Sequence, residues 1–225
     1  MASAPQIRIE TFGAERQPVI VIDDFSQDFA ALLAAAQAAT YRPMKGHYPG
    51  VRAPVPTDTV LHFMSPVSDL IAETFALSRP AALIECFYSI VTTPPDRLTP
   101  IQRLPHFDGL DVERIAMVHF LSEGDHGGTA FYRHRATGFE TISAARHARY
   151  DAALHRDVAA HGMPAPAYIA GDTPIFEQIG RVPAKPNRAI IYRSHLLHCA
   201  DLSVGAELSP DPRRGRLTVN TFLIG

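Results

Sequence analysis

The chain has 225 residues, 46% of them apolar and 20% charged, with a net charge of −2 and a mean hydropathy near zero. That is the composition of a soluble globular protein of one large domain or two small ones, and it excludes a bulk electrostatic footprint for nucleic acid or a membrane surface. Two cysteines, Cys86 and Cys199, without a CxxC pair exclude a disulfide framework and are expected as buried, reduced thiols.

The opening MASAPQIRIETFG has neither a basic nor an apolar leader region and is not read as a secretory signal. "QPVIVID" is a short β-branched apolar run and predicts a strand. In "DDFSQDFAALLAAAQAATY", Asp24 and Ser26 can cap, and the alanines and leucines then favour helix. Its apolar part, FAALLAAAQAA, is too short to span a bilayer, so a cytoplasmic location is expected. "GHYPGVRAPVPTD" is turn-rich and irregular, and "SDLIAETFAL" predicts a second short helix. "LIECFYSIV" predicts a strand, "TTPPDRLTP" an exposed loop, and "IAMVHFLS" and "GTAFYRH" two strands joined by an "EGDHGG" hairpin turn. "SAARHARYDAALHRDVAAHG" predicts a helix ended by Gly162. "PIFEQIGRVP", "NRAIIYRS" and "RLTVNTFLIG" predict three more strands. The whole, 1–225, therefore reads as a single mainly β domain (α+β), a sandwich or jelly roll. N-terminal helices over about 24–77 pack outside it, and a helical insertion covers about 141–161.

One short motif carries chemistry. "LPHFDGL", 104–110, holds a His-x-Asp pair, but 11 His and 14 Asp in a chain of this length supply about 0.7 such pairs by chance. At the end of a strand, side chains two apart point the same way, so His106 and Asp108 could converge on one ion. The chain contains its own control. His155 and Asp157 have the same spacing within the predicted helix, where two residues turn the chain by roughly 200° and the side chains diverge as solvated surface. A third ligand must come from elsewhere. "NRAIIYRSHLLHCADL" runs a strand, 187–193, into a turn that delivers His195 and His198. Two imidazoles and a carboxylate make the facial set of non-haem Fe(II) sites, and zinc could use the same donors. Arg216 then opens the last strand. An iron oxygenase of this kind takes 2-oxoglutarate as a second electron source, and a guanidinium suits the distal carboxylate of that co-substrate better than an ammonium does. Arg213 and Arg214 lie in a Pro/Gly loop and are expected to face solvent.

His-x-Asp, a distal His and an Arg opening the final strand together resemble the iron(II)/2-oxoglutarate-dependent oxygenases, and are most similar to the prolyl-hydroxylase-like group. "RLPHFDG", "GGTAFYRHRATG", "RGRLTVNTFL", "PVIVIDDF" and "YPGVRAPVP" resemble a bacterial subfamily of that group, so the likeness covers most of the chain. The resemblance implies a double-stranded β-helix in which His106, Asp108 and His198 hold Fe(II) and Arg216 grips 2-oxoglutarate. It favours His198 over His195, which becomes a neighbouring or plain turn residue. It also implies Tyr88 as a tyrosine near the co-substrate, and Asn220, which alternates with Thr218 on the Arg216 strand, as pocket lining. His119, His126 and His134 are read as ordinary strand or loop histidines. Because the carboxylate ligand is present at Asp108, hydroxylation is favoured over halogenation, with an amino-acid, peptidyl or other small substrate. The alternatives are a non-catalytic jelly-roll binding or regulatory protein, and a cupin-type metal hydrolase or isomerase. No nucleic-acid or membrane partner is expected.

Overall fold

The computed structural model describes residues 4–44, 46–202 and 208–225. Two antiparallel sheets face each other in a jelly roll. The strands, in chain order, are β1 (Gln6–Phe12), β2 (Gln17–Asp23), β3 (Arg42–Pro43), β4 (Gly50–Pro54), β5 (Ala82–Val91), β6 (Arg114–Phe120), β7 (Gly128–His134), β8 (Phe176–Pro183), β9 (Arg188–Arg193), β10 (His198–Asp201) and β11 (Leu217–Ile224). The large sheet runs β1-β2-β9-β6-β11-β5-β4-β3 and the small one β10-β7-β8.

Alternation along the central strands divides the large sheet into two faces. On β11, Leu217, Val219 and Leu223 join Ile20, Ile22, Ile115, Met117 and Ile191 in an outer apolar layer. The helices α1 (Phe29–Ala38), α2 (Thr57–Met64) and α3 (Ser68–Thr74) cover that layer through Leu32, Ala36, Val60, Phe63 and Ile71. Each such aliphatic side chain, fully buried, contributes about 1.5–3 kcal/mol. The inner face (Val19, Val21, Ala116, Val118, Phe120, Ile190, Tyr192, Phe222) packs against Phe131 and Val182 of the small sheet. A third cluster lies behind the small sheet, where Ala130, Tyr132 and Phe176 meet Tyr150 of α4 (Ala144–His161).

Several local expectations change. Helix α1 starts at Phe29, not at an Asp24 or Ser26 cap; Asp24 sits in a left-handed turn (φ 55°), and Asp28 reaches across to His62 at 2.8 Å. The segment 24–77 holds strands β3 and β4 and helix α2 besides the two helices read from its pattern. "EGDHGG" is not a hairpin turn, because β6 and β7 lie in different sheets. Its glycines serve close packing instead: a Cβ on Gly127 (φ 72°) would meet Asp201 O at 1.7 Å, and one on Gly128 would meet Val182 O at 2.2 Å. Gly162 does end α4, with φ 80°.

Candidate active site

The His-x-Asp pair does not sit on a regular strand. A 3-10 turn, Pro100–Arg103, precedes it, and the chain then runs extended with a single antiparallel bridge between His106 and His198. Three main-chain hydrogen bonds hold it there: His106 N–H to His198 O (2.8 Å), His198 N–H to His106 O (2.9 Å) and Asp108 N–H to Ser194 O (2.8 Å). His198 is likewise not in a turn after β9; it opens β10, opposite Phe131 of β7. The geometry demanded of a strand is therefore met by bridging two otherwise irregular segments, and both side chains are aimed into the space between the sheets.

One ligand atom from each of His106, Asp108 and His198 lies within 4.8 Å of the others. His198 Nε2 is 3.2 Å from Asp108 Oδ2, and His106 Nε2 is 3.7 Å from Asp108 Oδ1. His198 Nδ1–H donates to Leu196 O at 2.8 Å, which orients the ring with Nε2 toward the carboxylate. Burial alone would push the Asp108 carboxyl up. His198 by charge and hydrogen bond, then His106 and Arg114, outweigh it and hold the group at about 2. His106 is pushed down, first by burial and then by His198, while half of its side-chain surface opens to the cavity. An ionised carboxylate beside two imidazoles aimed at one point is a donor set that fits a divalent ion of the Fe(II) or Zn(II) kind.

These residues border a cavity of about 660 Å³. Tyr192 from β9, Ala116 and Val118 from β6, and Phe222 from β11 give it apolar walls, and His147, Tyr150, Asp151 and Leu154 present one stripe of α4 to it. Arg216 lines the same cavity and is 6% exposed. Its guanidinium donates to His126 O (3.2 Å) and Gly128 O (2.9 Å) and lies over the Phe120 ring. Among the described residues no carboxylate pairs with it. Burial lowers its pKa first, and the nearby Tyr48 and Tyr192 counter that effect. Asn220 also lines the cavity, and its Oδ1 accepts the Thr218 hydroxyl at 2.6 Å.

Other expected residues fall elsewhere. Tyr88 is not near the cavity: it is 2% exposed in the outer layer, beneath the helices, because on β5 it alternates with Phe87 and Ser89. The tyrosines that do line the cavity are Tyr48, Tyr150, Tyr168 and Tyr192. Tyr192 was legible as an inward position of its strand; Tyr48 lies in the irregular YPG stretch, where no periodicity marks it. His195 is buried away from the cavity, and desolvation, then Arg193, pushes it down to about 4. His119 packs edge-on to Phe25 on the outer face and bonds Asn187 at 3.0 Å. His134 lies behind β7 against Asp157 at 3.0 Å. Asp157 is thus tied inward rather than being solvated helix surface, while His155 is exposed and points to Asp151, 3.5 Å away. Cys86 and Cys199 are both free and buried. No helix among the described residues is long and apolar enough to cross a membrane.

No curated protein sequence matches the chain. Among solved structures it is similar to the non-haem α-ketoglutarate-dependent carbocyclase SnoK from nogalamycin biosynthesis, with a TM-score of 0.52 and 11% identity over 93% of this chain and 80% of that one. Others are the iron-bound HygX from Streptomyces hygroscopicus (TM-score 0.48, 11% identity, 93% of this chain and 83% of that one) and the Fe-bound EctD from S. alaskensis (0.43, 13%, 99% and 84%). The SnoK likeness shows the fold alone: the chain has the jelly-roll architecture of the non-haem iron, 2-oxoglutarate-dependent oxygenases. A family model described as a family of unknown function, DUF6445, matches residues 3–223, and the chain belongs to that family.

Proposed function

We propose that this protein is an Fe(II)/2-oxoglutarate-dependent dioxygenase that hydroxylates an amino-acid, peptidyl or other small substrate. The observation that carries the reading is the convergence of His106, Asp108 and His198, within 4.8 Å, in the cavity that also holds the unpaired, buried Arg216. The three donors would hold Fe(II), leaving positions open for ligands. Arg216 would grip the distal carboxylate of 2-oxoglutarate by charge-assisted hydrogen bonds, its orientation set by the His126 and Gly128 carbonyls. Asn220 would line the same pocket. When bound, iron and co-substrate supply the oxidising power. The protein's own work is to keep Asp108 ionised, orient the His198 ring and exclude water with Tyr192, Val118 and Phe222. A carboxylate ligand at Asp108 favours hydroxylation. The chain is read as one unit over 1–225, cytoplasmic, acting on a small molecule or peptide rather than on nucleic acid or membrane.

Anaerobic reconstitution with Fe(II) and 2-oxoglutarate tests this. A weak visible charge-transfer band that Asp108→Ala abolishes is the expected result. No band and no Fe(II) uptake by the wild type would return the fold to a binding role; metal-dependent turnover without oxygen uptake would point to hydrolysis or isomerisation.

A further inference from the structure

Several arginines of this protein pair with carboxylates. Arg188 meets Asp23 at 2.6 Å, Arg181 meets Asp201 at 2.7 Å, and Arg133 meets Glu177 at 2.9 Å. The cavity holds one that does not. Arg52, on β4, lines it, and its Nε is shut off from solvent with no hydrogen-bond partner. Among the described residues it forms no ion pair. Its guanidinium lies 4.0 Å over the Tyr48 ring and 5.3 Å from the Phe87 centroid. Stacking uses the face of the cation and leaves its N–H edges pointing outward, the geometry that takes an oxyanion in bidentate fashion. A half-buried guanidinium with unmet donors is costly unless a ligand supplies the acceptors.

Its position matters as much as its lack of a partner. Arg52 lines the same cavity as His106. Tyr48, under the Arg52 guanidinium, lines the cavity together with Arg216. Arg114 also lines the cavity, with its Nε buried and unpartnered and Glu85 at 3.6 Å. One guanidinium, Arg216, suffices for the co-substrate. Arg52 is then left over, beside the reacting centre.

We infer that the primary substrate carries a carboxylate or similar oxyanion, and that Arg52, stacked on Tyr48 and Phe87, is the residue that binds it. The role of that anion as substrate rests on the oxygenase reading; its binding by Arg52 does not. The test uses the full chain, stripped of metal and then loaded with Zn(II) and 2-oxoglutarate so that Arg216 is occupied. The probes are hippurate and a panel of N-acetyl-L-amino acids, each matched by its primary amide, with affinities read by ligand-observed NMR. Acids should bind and amides should not. Arg52→Met should weaken acid binding about tenfold or more, with Arg52→Lys intermediate. Metal content and 2-oxoglutarate affinity should stay at wild-type values in both variants. Amides binding as well as acids, no acid binding at all, or unchanged acid binding in Arg52→Met each overturn the inference. So does a loss that falls on 2-oxoglutarate affinity instead. If acids bind through Arg52 but the wild type takes up neither iron nor 2-oxoglutarate, the oxygenase reading fails and the anion site stands.

Discussion

The molecule brings a histidine and an aspartate together in two buried places, and they differ in what surrounds them. Behind β7, His134 Nε2 meets Asp157 at 3.0 Å while its Nδ1 contacts the Thr137 hydroxyl at 2.9 Å. Nδ1 is hydrogen-bonded and Nε2 faces the carboxylate as an ion-pair contact, Tyr150 and Phe176 enclose the ring, and among the described residues no third donor arrives. That pair ties α4 to the small sheet. At the cavity, His198 meets Asp108 at 3.2 Å, its Nδ1 is held by a backbone carbonyl, and His106 comes in as a third donor. A His–Asp contact is therefore a clamp where the two groups face only each other and packed side chains close around them. It becomes a candidate ion site where they crowd together with open space beside them.

The comparison breaks most sharply at Asp108. Asp108→Ala should lower Fe(II) or Co(II) affinity by about 100-fold or more, whereas Asp157→Ala should leave it within about twofold, both read by titration. Equal effects would mean that the cavity pair is merely another clamp. Next in size, Arg216→Met should raise the 2-oxoglutarate Kd about 100-fold with metal affinity intact; the charge-transfer band reads the first and metal analysis the second. His134→Ala should cost about 2–3 kcal/mol in denaturant unfolding, since it leaves Asp157 without its partner, and should spare the metal.

Acid should stress the fold through other buried imidazoles. Desolvation holds His119 at about 4, and desolvation with Arg193 holds His195 there too. The unfolded chain binds protons at both positions near 6.5, above the folded values. Their contribution to stability is therefore complete above about pH 6.5 and is lost as pH falls toward 4. Thermal midpoints of wild type and His119→Gln across that window check it, the variant showing the shallower loss. Smallest of all, Tyr88→Phe should change stability by less than about 1 kcal/mol and leave 2-oxoglutarate affinity alone, because the Tyr88 hydroxyl is buried in the outer layer with no partner. A large co-substrate defect in that variant would restore the role that the family likeness suggested.

The sequence by itself determined what period and chain order can carry. Strands β2, β5, β6, β7, β8, β9 and β11 and helix α4 were legible from alternation and helical spacing, and alternation on β11 put Arg216 and Asn220 on one face; the candidate set His106, Asp108 and His198 came from the His-x-Asp spacing, and the preference for His198 over His195 from the family likeness. Tertiary structure alone decided the rest. β1, β4, α2 and β10 are short or polar and take their form from the neighbours they pair with. On β5, Glu85, Phe87 and Ser89 alternate with Cys86, Tyr88 and Ile90; the family likeness picked the tyrosine although the polar face is the one that meets the cavity, so Tyr88 went to the wrong side. Tyr48 and Arg52 come from an irregular stretch whose side chains acquire direction only when β4 docks on β5. Local pattern fixes which way a residue can point along its own element; what it then points at is set by long-range pairing, which no local period encodes.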